Sequence, residues 1–249
     1  MNVVVNDLLV RYETQGTGRS VVLLHGWGDS LAGLAGLQKQ LAASYAVTSL
    51  DLPGFGASQT PAVVWNLDNY ATFLQAFLAK TKIIPYAVIG HSNGGALAIR
   101  ATTMHVIAPQ RLVLLAASGI RNGQSLKRSL VKVIAKTGNV ASLWLPKSMR
   151  GRLRKKLYGA VGSDLLVVEH LTETFKRTVR QDVQADAATL TLPTLLIYAE
   201  ADQAVPLADG HTYNRLIKNS RLEVIAAAGH FVHLDEPEQV VRLIEDFLQ

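Results

Sequence analysis

The sequence predicts an α/β fold built on a doubly wound, mostly parallel sheet of eight strands. Short apolar runs recur along the chain, and segments long enough for a helix separate them. Most of these runs are apolar at every position, as in strands that helices cover on both faces. Strands that alternate with helices in this way are typical of doubly wound α/β proteins.

The hydrophobic pattern places the individual elements. Strands are predicted at Val3–Val5, Leu8–Glu13, Val21–Leu24, Ala46–Leu50, Ala87–Ile89, Leu112–Leu115, Leu195–Tyr198 and Leu222–Ile225. Helical periodicity predicts helices at Leu34–Ala43, Leu67–Lys80, Ala96–His105 and Pro237–Leu248. Pro237 suits the last of these helices because proline is tolerated in a first helical turn.

The alternation of strands and helices stops after Ser118. Residues 119–190 show several helical patterns and no convincing strand, and they hold fourteen Lys and Arg against five Asp and Glu, a charge of about +9 in a chain whose net charge is +6. Because predicted strands lie on both sides, we interpret 119–190 as a basic helical cap inserted into a core of 1–118 and 191–249.

The basic cap allows two interpretations. In the stretch QSLKRSLVKVIAKTG, apolar and cationic residues fall on opposite faces of a helix: Leu126, Leu130, Val133 and Ile134 against Arg128, Lys132 and Lys136. The cap is then either a lid attracted to an anionic membrane or to acidic substrates, or an amphipathic cover with a solvated basic surface. No recognised nucleic-acid-binding module accompanies the charge, so we expect no nucleic acid partner.

Composition excludes several classes of protein. The chain has no cysteine, which excludes disulfides, thiolate metal sites and a cysteine nucleophile. It has no apolar run long enough for a transmembrane helix, and its first residues do not form a signal peptide pattern. We therefore expect a cytoplasmic protein. No phosphate-binding loop occurs, and Gly26-Trp27-Gly28 lacks the third glycine of a dinucleotide fingerprint, so no cofactor is predicted.

The stretch VIGHSNGGALAIRA, residues 88–101, sets one serine at a strand-to-helix junction. Ser92 occupies a turn sharp enough to force a positive φ, and Gly90 and Gly94 leave out side chains that would collide there. This is the Gly-x-Ser-x-Gly pattern of a nucleophile elbow. The alternative is a polar loop in which the serine caps the following helix.

A nucleophilic serine needs a base, and the base needs an orienting acid. His230 lies in a segment after the predicted strand Leu222–Ile225, and Asp202 lies just past the predicted strand Leu195–Tyr198. The chain order Ser, Asp, His is the order that a nucleophile elbow of this kind requires. We therefore predict Ser92, Asp202 and His230 as a catalytic triad.

These motifs resemble those of α/β-hydrolase-fold serine hydrolases over nearly the whole chain. Besides GHSNGG, four further segments occur in the order of the family: VVLLHGWGDS, DLPGFGAS, LPTLLIYAEADQAVP and AAGHFVHLDEPEQV. The resemblance implies that the backbone N–H groups of Trp27 and Asn93 form the oxyanion hole. It also implies hydrolysis of a small-molecule ester through an acyl-enzyme.

Two alternatives stay open at this point. One branch of the family cleaves carbon–carbon bonds of ring-fission products, but that branch commonly has tryptophan where Phe231 stands and asparagine where His91 stands. The other alternative is a non-catalytic ligand receptor on the same fold. The sequence leaves the acyl group, the leaving group and the oligomeric state undetermined.

The remaining polar residues near the motifs are interpreted as structural. His230, His233 and Asp235 resemble a metal-ligand cluster, but His230 is needed as the base and no third well-spaced ligand is evident, so no metal is predicted. His25 and His91 are expected to support the active loops. Asp51 and Ser58 are expected to brace the DLPGFGAS turn by local hydrogen bonds.

Overall fold

A computed structural model describes residues 1–121, 169–226 and 228–249. Its strands form one sheet of eight in the order β1-β2-β4-β3-β5-β6-β7-β8. β1 and β2 are antiparallel to their neighbours, and all the other pairs are parallel. The predicted fold class is therefore confirmed. The strands are β1 Asn2–Val5, β2 Leu8–Gln15, β3 Ser20–Leu24, β4 Ala46–Leu50, β5 Ala87–His91, β6 Arg111–Leu115, β7 Thr194–Ala199 and β8 Ser220–Ile225.

The helices of the described residues connect or follow these strands. They are α1 Ala35–Leu41, α2 Leu67–Thr81, α3 Asn93–Thr103, α4 Thr172–Arg180, α5 Gln184–Thr189, α6 Leu207–Leu216, α7 Val232–Asp235 and α8 Pro237–Leu248. Short 3₁₀ turns at Leu31–Leu34 and Glu169–Leu171 precede α1 and α4. The first 3₁₀ turn explains why the predicted helix at Leu34–Ala43 starts later in the structure. None of these helices has both the length and the apolar character needed to cross a bilayer.

The sheet separates two hydrophobic cores. Along β3, Val22 and Leu24 point into the core shared with α2 and α3, whereas Val21 and Leu23 point into the core shared with α1 and α8. Each strand residue thus has an apolar neighbour on its own side. This two-sided burial is the reason why the central strands lack the alternation of polar and apolar residues.

The predicted cap interrupts the chain between two strands that are neighbours in the sheet. β6 ends at Leu115 and β7 starts at Thr194, yet the two strands pair in parallel along their length. α4 and α5 lie in this interval. The boundaries of the cap at 119 and 190 stay a prediction, and its basic stretch falls within 122–168, outside the described residues.

Candidate active site

The strand-to-helix turn at Ser92 is one residue long. β5 ends at His91 and α3 begins at Asn93, and Ser92 between them has φ 51° and ψ −117°. A positive φ is strained for a residue with a Cβ. The helix starts three residues before the predicted Ala96. The prediction started late because Gly94 and Gly95 are poor helix formers, yet both are helical in the structure.

The glycines around Ser92 lie against backbone atoms. A Cβ added to Gly90 would lie 2.6 Å from the Cα of Gly95, and one added to Gly94 would lie 2.6 Å from the carbonyl oxygen of His25. Because both neighbours are main-chain atoms, they cannot move aside as a flexible side chain would. The first turn of α3 is therefore packed directly onto β5 and onto the end of β3.

The hydroxyl of Ser92 is not used to build the turn. Ser92 is 7% exposed, and its side chain makes no capping hydrogen bond to the first turn of α3. Its backbone is fixed instead: Ser92 N donates to the oxygen of Leu115 at 2.9 Å, and the oxygen of Ser92 accepts from Ser118 N at 3.0 Å as well as from two amides of the first turn of α3. Ser92 is thus the N-cap residue of α3 by position, but its hydroxyl does not make the capping bond that the alternative interpretation requires.

His230 and Asp202 form a hydrogen-bonded pair. Nδ1 of His230 lies 2.8 Å from Oδ2 of Asp202, whose side chain is fully buried. The second carboxylate oxygen accepts hydrogen bonds from the backbone N–H groups of Ala204 at 2.7 Å and Val205 at 2.9 Å. An ionised carboxylate only accepts, so Nδ1 of the neutral imidazole carries the proton and Nε2 keeps a free electron pair.

The loop of His230 packs against the strand end that carries Ser92. The ring of His91, the residue before the serine, lies 4.8 Å from the ring of His230. Within the described residues no hydrogen bond joins Ser92 Oγ to His230. Catalytic hydrogen bonds in general are often long before a substrate is bound and tighten only with it.

The loop after β3 also reaches the serine. A Cβ added to Gly26 would lie 3.2 Å from Cβ of Ser92, which brings Trp27, the next residue, to the same turn. Asn93 is the first residue of α3, where backbone N–H groups have no partner inside the helix. Neither the amide of Trp27 nor that of Asn93 donates a hydrogen bond to any group in the described parts of the chain.

Aromatic side chains pack beside this loop. The buried indole of Trp27 meets the ring of Phe55 edge-on at 4.9 Å and the ring of Phe175 at 5.0 Å. Phe175 lies on α4, within the interval of the predicted cap. No pattern in the sequence indicates this contact, because a single phenylalanine in a polar helix does not show what it packs against.

Comparison with known proteins places this chain in a family. Residues 21–243 match the sequence profile of the Alpha/beta hydrolase family. The chain belongs to this family. Its relatives include a 2-hydroxy-6-oxo-2,4-heptadienoate hydrolase of Pseudomonas putida, 25% identical over 94% of this chain and 90% of the relative. Another is a pimeloyl-(acyl-carrier protein) methyl ester esterase of Photobacterium profundum, 27% identical over 96% of this chain and 98% of the relative.

Solved structures show the same fold. The enol-lactonase of Burkholderia xenovorans superimposes with a TM-score of 0.78 at 19% identity, and the match covers 100% of this chain and 99% of the lactonase. At that identity the likeness concerns the fold alone. The relatives of this α/β hydrolase are thus named both as a methyl ester esterase and as a heptadienoate hydrolase.

Two polar residues brace the loops around the elbow of this α/β hydrolase. His25 donates from Nδ1 to the oxygen of Gly26 at 2.7 Å and accepts at Nε2 from the amide of Leu52 at 3.0 Å, and burial lowers its pKa. Asp51 accepts at Oδ1 from Leu31 N and at Oδ2 from Ala57 N, both at 2.8 Å. These side chains tie the loop after β3 to the loop after β4.

Ser58 completes this arrangement, since its hydroxyl donates to the oxygen of Asp51 at 2.7 Å and accepts from Arg11 N at 2.9 Å. The bracing role that the sequence predicts for Asp51 and Ser58 is confirmed. The contact from Asp51 to Leu31 was not predicted, because it joins two loops that are distant in the chain.

Two of the residues that resemble metal ligands in the sequence have other hydrogen-bond partners. Asp235 accepts from the backbone N–H of Gly229 at 2.8 Å, and His230 is bound to Asp202. In the described parts of the chain no group of three or more histidine or carboxylate side chains is arranged to hold a metal ion. Asp235 thus stabilises the loop of His230, a role that no pattern in the sequence indicates.

Proposed function

We propose that this α/β hydrolase cleaves a small-molecule ester through a Ser92–His230–Asp202 triad. The observation that carries the proposal is the 2.8 Å hydrogen bond from His230 to a fully buried Asp202 that also accepts two backbone amides. An acid held in this way fixes both the tautomer and the direction of the imidazole. The loop of that imidazole packs against the strained turn of Ser92, whose hydroxyl makes no hydrogen bond to the first turn of α3.

In the proposed mechanism His230 Nε2 takes the proton of Ser92 as Oγ attacks the ester carbonyl. The backbone amides of Trp27 and Asn93 hold the negative charge that develops on the carbonyl oxygen, and one such donor is worth roughly 100-fold to 1000-fold in kcat. His230 then gives its proton to the leaving alcohol. Water, deprotonated by His230, cleaves the acyl-enzyme and releases the carboxylic acid.

An ester substrate is favoured over a carbon–carbon bond by two positions. Phe231 follows the proposed base and His91 precedes the proposed nucleophile, where the branch that cleaves ring-fission products commonly has tryptophan and asparagine. The named relatives keep carbon–carbon hydrolysis as a second candidate, because one of them is a 2-hydroxy-6-oxo-2,4-heptadienoate hydrolase. A dienoate of that type therefore belongs in the substrate panel.

The test is turnover of p-nitrophenyl esters of increasing chain length, with Ser92→Ala as the inactive variant. Ser44→Ala is the matched control, since Ser44 is exposed in the loop between α1 and β4. Wild type and the control should hydrolyse short esters, and Ser92→Ala should lose activity by at least about 1000-fold. A fluorophosphonate probe should label wild type but not Ser92→Ala.

Three results would count against the proposal. Undiminished turnover by Ser92→Ala would show that another residue is the nucleophile. Turnover of the dienoate alone would favour the carbon–carbon hydrolase. Saturable ligand binding without turnover, together with no labelling by the probe, would favour a receptor.

We propose no metal or organic cofactor, so a chelator should leave the rate unchanged. Contact of the basic cap with anionic membranes and a cytoplasmic location stay predictions.

A further inference from the structure

His91 makes a direct contact with the residue proposed as the base. It is the last residue of β5 and is 1% exposed, and its Nε2 lies 3.0 Å from the backbone oxygen of His230. A carbonyl oxygen can only accept a hydrogen bond, so Nε2 of His91 carries the proton and donates it. The side chain beside Ser92 therefore binds the main chain of His230.

The rest of the surroundings keeps the ring of His91 neutral. Burial holds the pKa of His91 well below its usual value, and the neighbouring His230, His233 and His25 lower it further. Nδ1 has no hydrogen-bond partner among the described residues, and a Cβ added to Gly26 would lie 3.1 Å from it. Nδ1 is thus left as an unprotonated nitrogen, and the tautomer is fixed.

Packing also restricts the ring of His91. Its centroid lies 4.8 Å from that of His230, 5.2 Å from that of Phe231 and 4.8 Å from that of His233. The ring has little freedom to turn away from the carbonyl that it binds. The hydrogen bond is therefore held by the surrounding side chains and not by the two partners alone.

His230 is consequently held at two separate points. Asp202, which follows β7, fixes the direction of the imidazole, while His91, which ends β5, fixes the backbone from which the imidazole extends. The second bond is special because His91 and Ser92 are consecutive residues. It relates the main chain of one reacting residue directly to that of the other.

We propose that His91 is a positioning residue, whose Nε2–H bond to the His230 carbonyl sets the distance between Ser92 and the base. The inference rests on the proposed function of the same site. An error of about 1 Å in the placement of a reacting group costs on the order of 100-fold in rate, so one well-placed backbone bond has a measurable effect on kcat.

Three substitutions separate the hydrogen bond from the packing. His91→Gln puts an amide N–H where Nε2 lies, His91→Asn puts its amide near the position of Nδ1, and His91→Phe keeps a flat ring without a donor. We expect His91→Phe to lower kcat about tenfold, which corresponds to about 1.4 kcal/mol, with KM changed less than about twofold. His91→Gln should recover most of the loss, and His91→Asn should not.

Two outcomes would contradict the positioning role of His91. Full activity in His91→Phe would overturn the proposal, and so would an equal loss of kcat in His91→Phe and His91→Gln, because packing would then explain the effect. Thermal unfolding of each variant identifies any general loss of structure. If His91→Phe does not fold, the comparison of His91→Gln with His91→Asn still decides, since only the former reaches the carbonyl.

A second measurement is independent of turnover. The Nδ1 proton that His230 shares with Asp202 should give a low-field proton resonance in wild type and in His91→Gln, and this resonance should shift or broaden in His91→Phe. An unchanged resonance in His91→Phe would overturn the positioning role even if no ester is hydrolysed. Absence of ester turnover in wild type, with the resonance behaving as expected, would instead count against the proposed function alone.

Discussion

Two glycines differ in how strictly their surroundings exclude a side chain. A Cβ on Gly94 would lie 2.6 Å from the carbonyl oxygen of His25, whereas a Cβ on Gly36 would have no atom within 4 Å. Gly94 lies where α3 touches the loop of the proposed oxyanion hole, and Gly36 lies on the exposed face of α1. The same substitution should therefore have opposite effects at the two positions.

We expect Gly94→Ala to destabilise the protein by roughly 2 kcal/mol and to reduce ester hydrolysis strongly, because α3 must move away from His25. Gly36→Ala should stabilise it by about 0.5 to 1 kcal/mol and leave the rate unchanged, because alanine loses less conformational entropy in a helix. Urea unfolding and initial rates measure both. A stable, active Gly94→Ala would show that the close packing is not required.

The acid of the proposed triad allows a second substitution. In Asp202→Asn the side-chain amide would donate to Nδ1 of His230, which places the proton on Nε2, where the proposed mechanism needs a free electron pair. We expect kcat to fall by roughly 1000-fold to 10000-fold with little change in KM.

Asp7→Asn is the matched control for this change, since Asp7 lies in the exposed turn between β1 and β2 with φ 62°, a conformation that asparagine tolerates. Its kcat should equal that of wild type. A loss of less than tenfold in Asp202→Asn would mean that Asp202 does not orient the base.

Helices on one face of the sheet are joined by an ion-pair cluster around Arg100. Its Nε lies 2.7 Å from Oδ1 of Asp68 on α2, and its Nη1 lies 2.7 Å from Oδ1 of Asp186 on α5. Gln181 adds a hydrogen bond from its Nε2 to Asp68 at 3.3 Å and accepts from Leu67 N. The cluster fastens α5, in the interval of the predicted cap, to two helices of the core.

Replacing Arg100 with methionine should destabilise the protein by about 1 kcal/mol, because two partly buried carboxylates lose a shared partner. Lys176→Met is the control, since Lys176 pairs with Glu173 on the exposed surface of α4, where no measurable change is expected. Chemical unfolding in low and high salt measures both. Equal effects of the two substitutions would show that Arg100 does not hold α5 to the core.

The elements that the sequence predicted well are those whose pattern is set locally. All eight strands appear within two residues of their predicted bounds, because most of them are continuous apolar runs with a clear start and end. α6 was not predicted, since Leu207–Leu216 has weak periodicity and contains Gly210. That glycine lies against Tyr198, where an added Cβ would come 2.7 Å from Cγ of the ring. Tertiary packing, not helix propensity, decides this element.

The same distinction applies to the candidate site. The order and spacing of Ser92, Asp202 and His230 could be read from short motifs, and the structure brings Asp202 and His230 into contact. The contacts of His91 with the His230 carbonyl and of Trp27 with Phe175 join segments that are far apart in the chain. No local pattern encodes these two contacts, so the sequence indicated neither the hydrogen bond to the main chain of the proposed base nor the packing of aromatic rings on Trp27.

The molecule as a whole should lose stability in mild acid because it buries three histidines. Burial lowers the pKa of His25, His91 and His233 below the usual value of 6.5. Near pH 6.5 these histidines are therefore protonated in the unfolded chain but stay neutral in the folded chain. Because the unfolded state binds more protons, the free energy of unfolding falls as the pH drops from about 7.5 toward 5. Each such histidine contributes a slope of up to about 1.4 kcal/mol per pH unit.

Asp209 has the opposite effect on stability over part of this pH range, since it raises the free energy of unfolding as the pH falls. Burial raises its pKa to about 6, so the folded state binds this proton more tightly than the unfolded chain does between about pH 4 and 6. Urea unfolding at pH 8, 7, 6 and 5 measures the sum. His91→Gln should reduce the slope between pH 7 and 6, while His105→Gln, at an exposed position, should not. A slope near zero in wild type over this interval would contradict the argument.

The direct pairing of β6 with β7 has a consequence for how such a protein changes in evolution or by design. The chain leaves the sheet at Leu115 and rejoins it in the adjacent strand at Thr194, so the two strands do not need the intervening segment to find each other. Segments of other lengths grafted within 122–168, which keep Phe175 on Trp27 and Asp186 on Arg100, should leave the proposed chemistry of Ser92 intact. Only the range of compounds admitted to it should change.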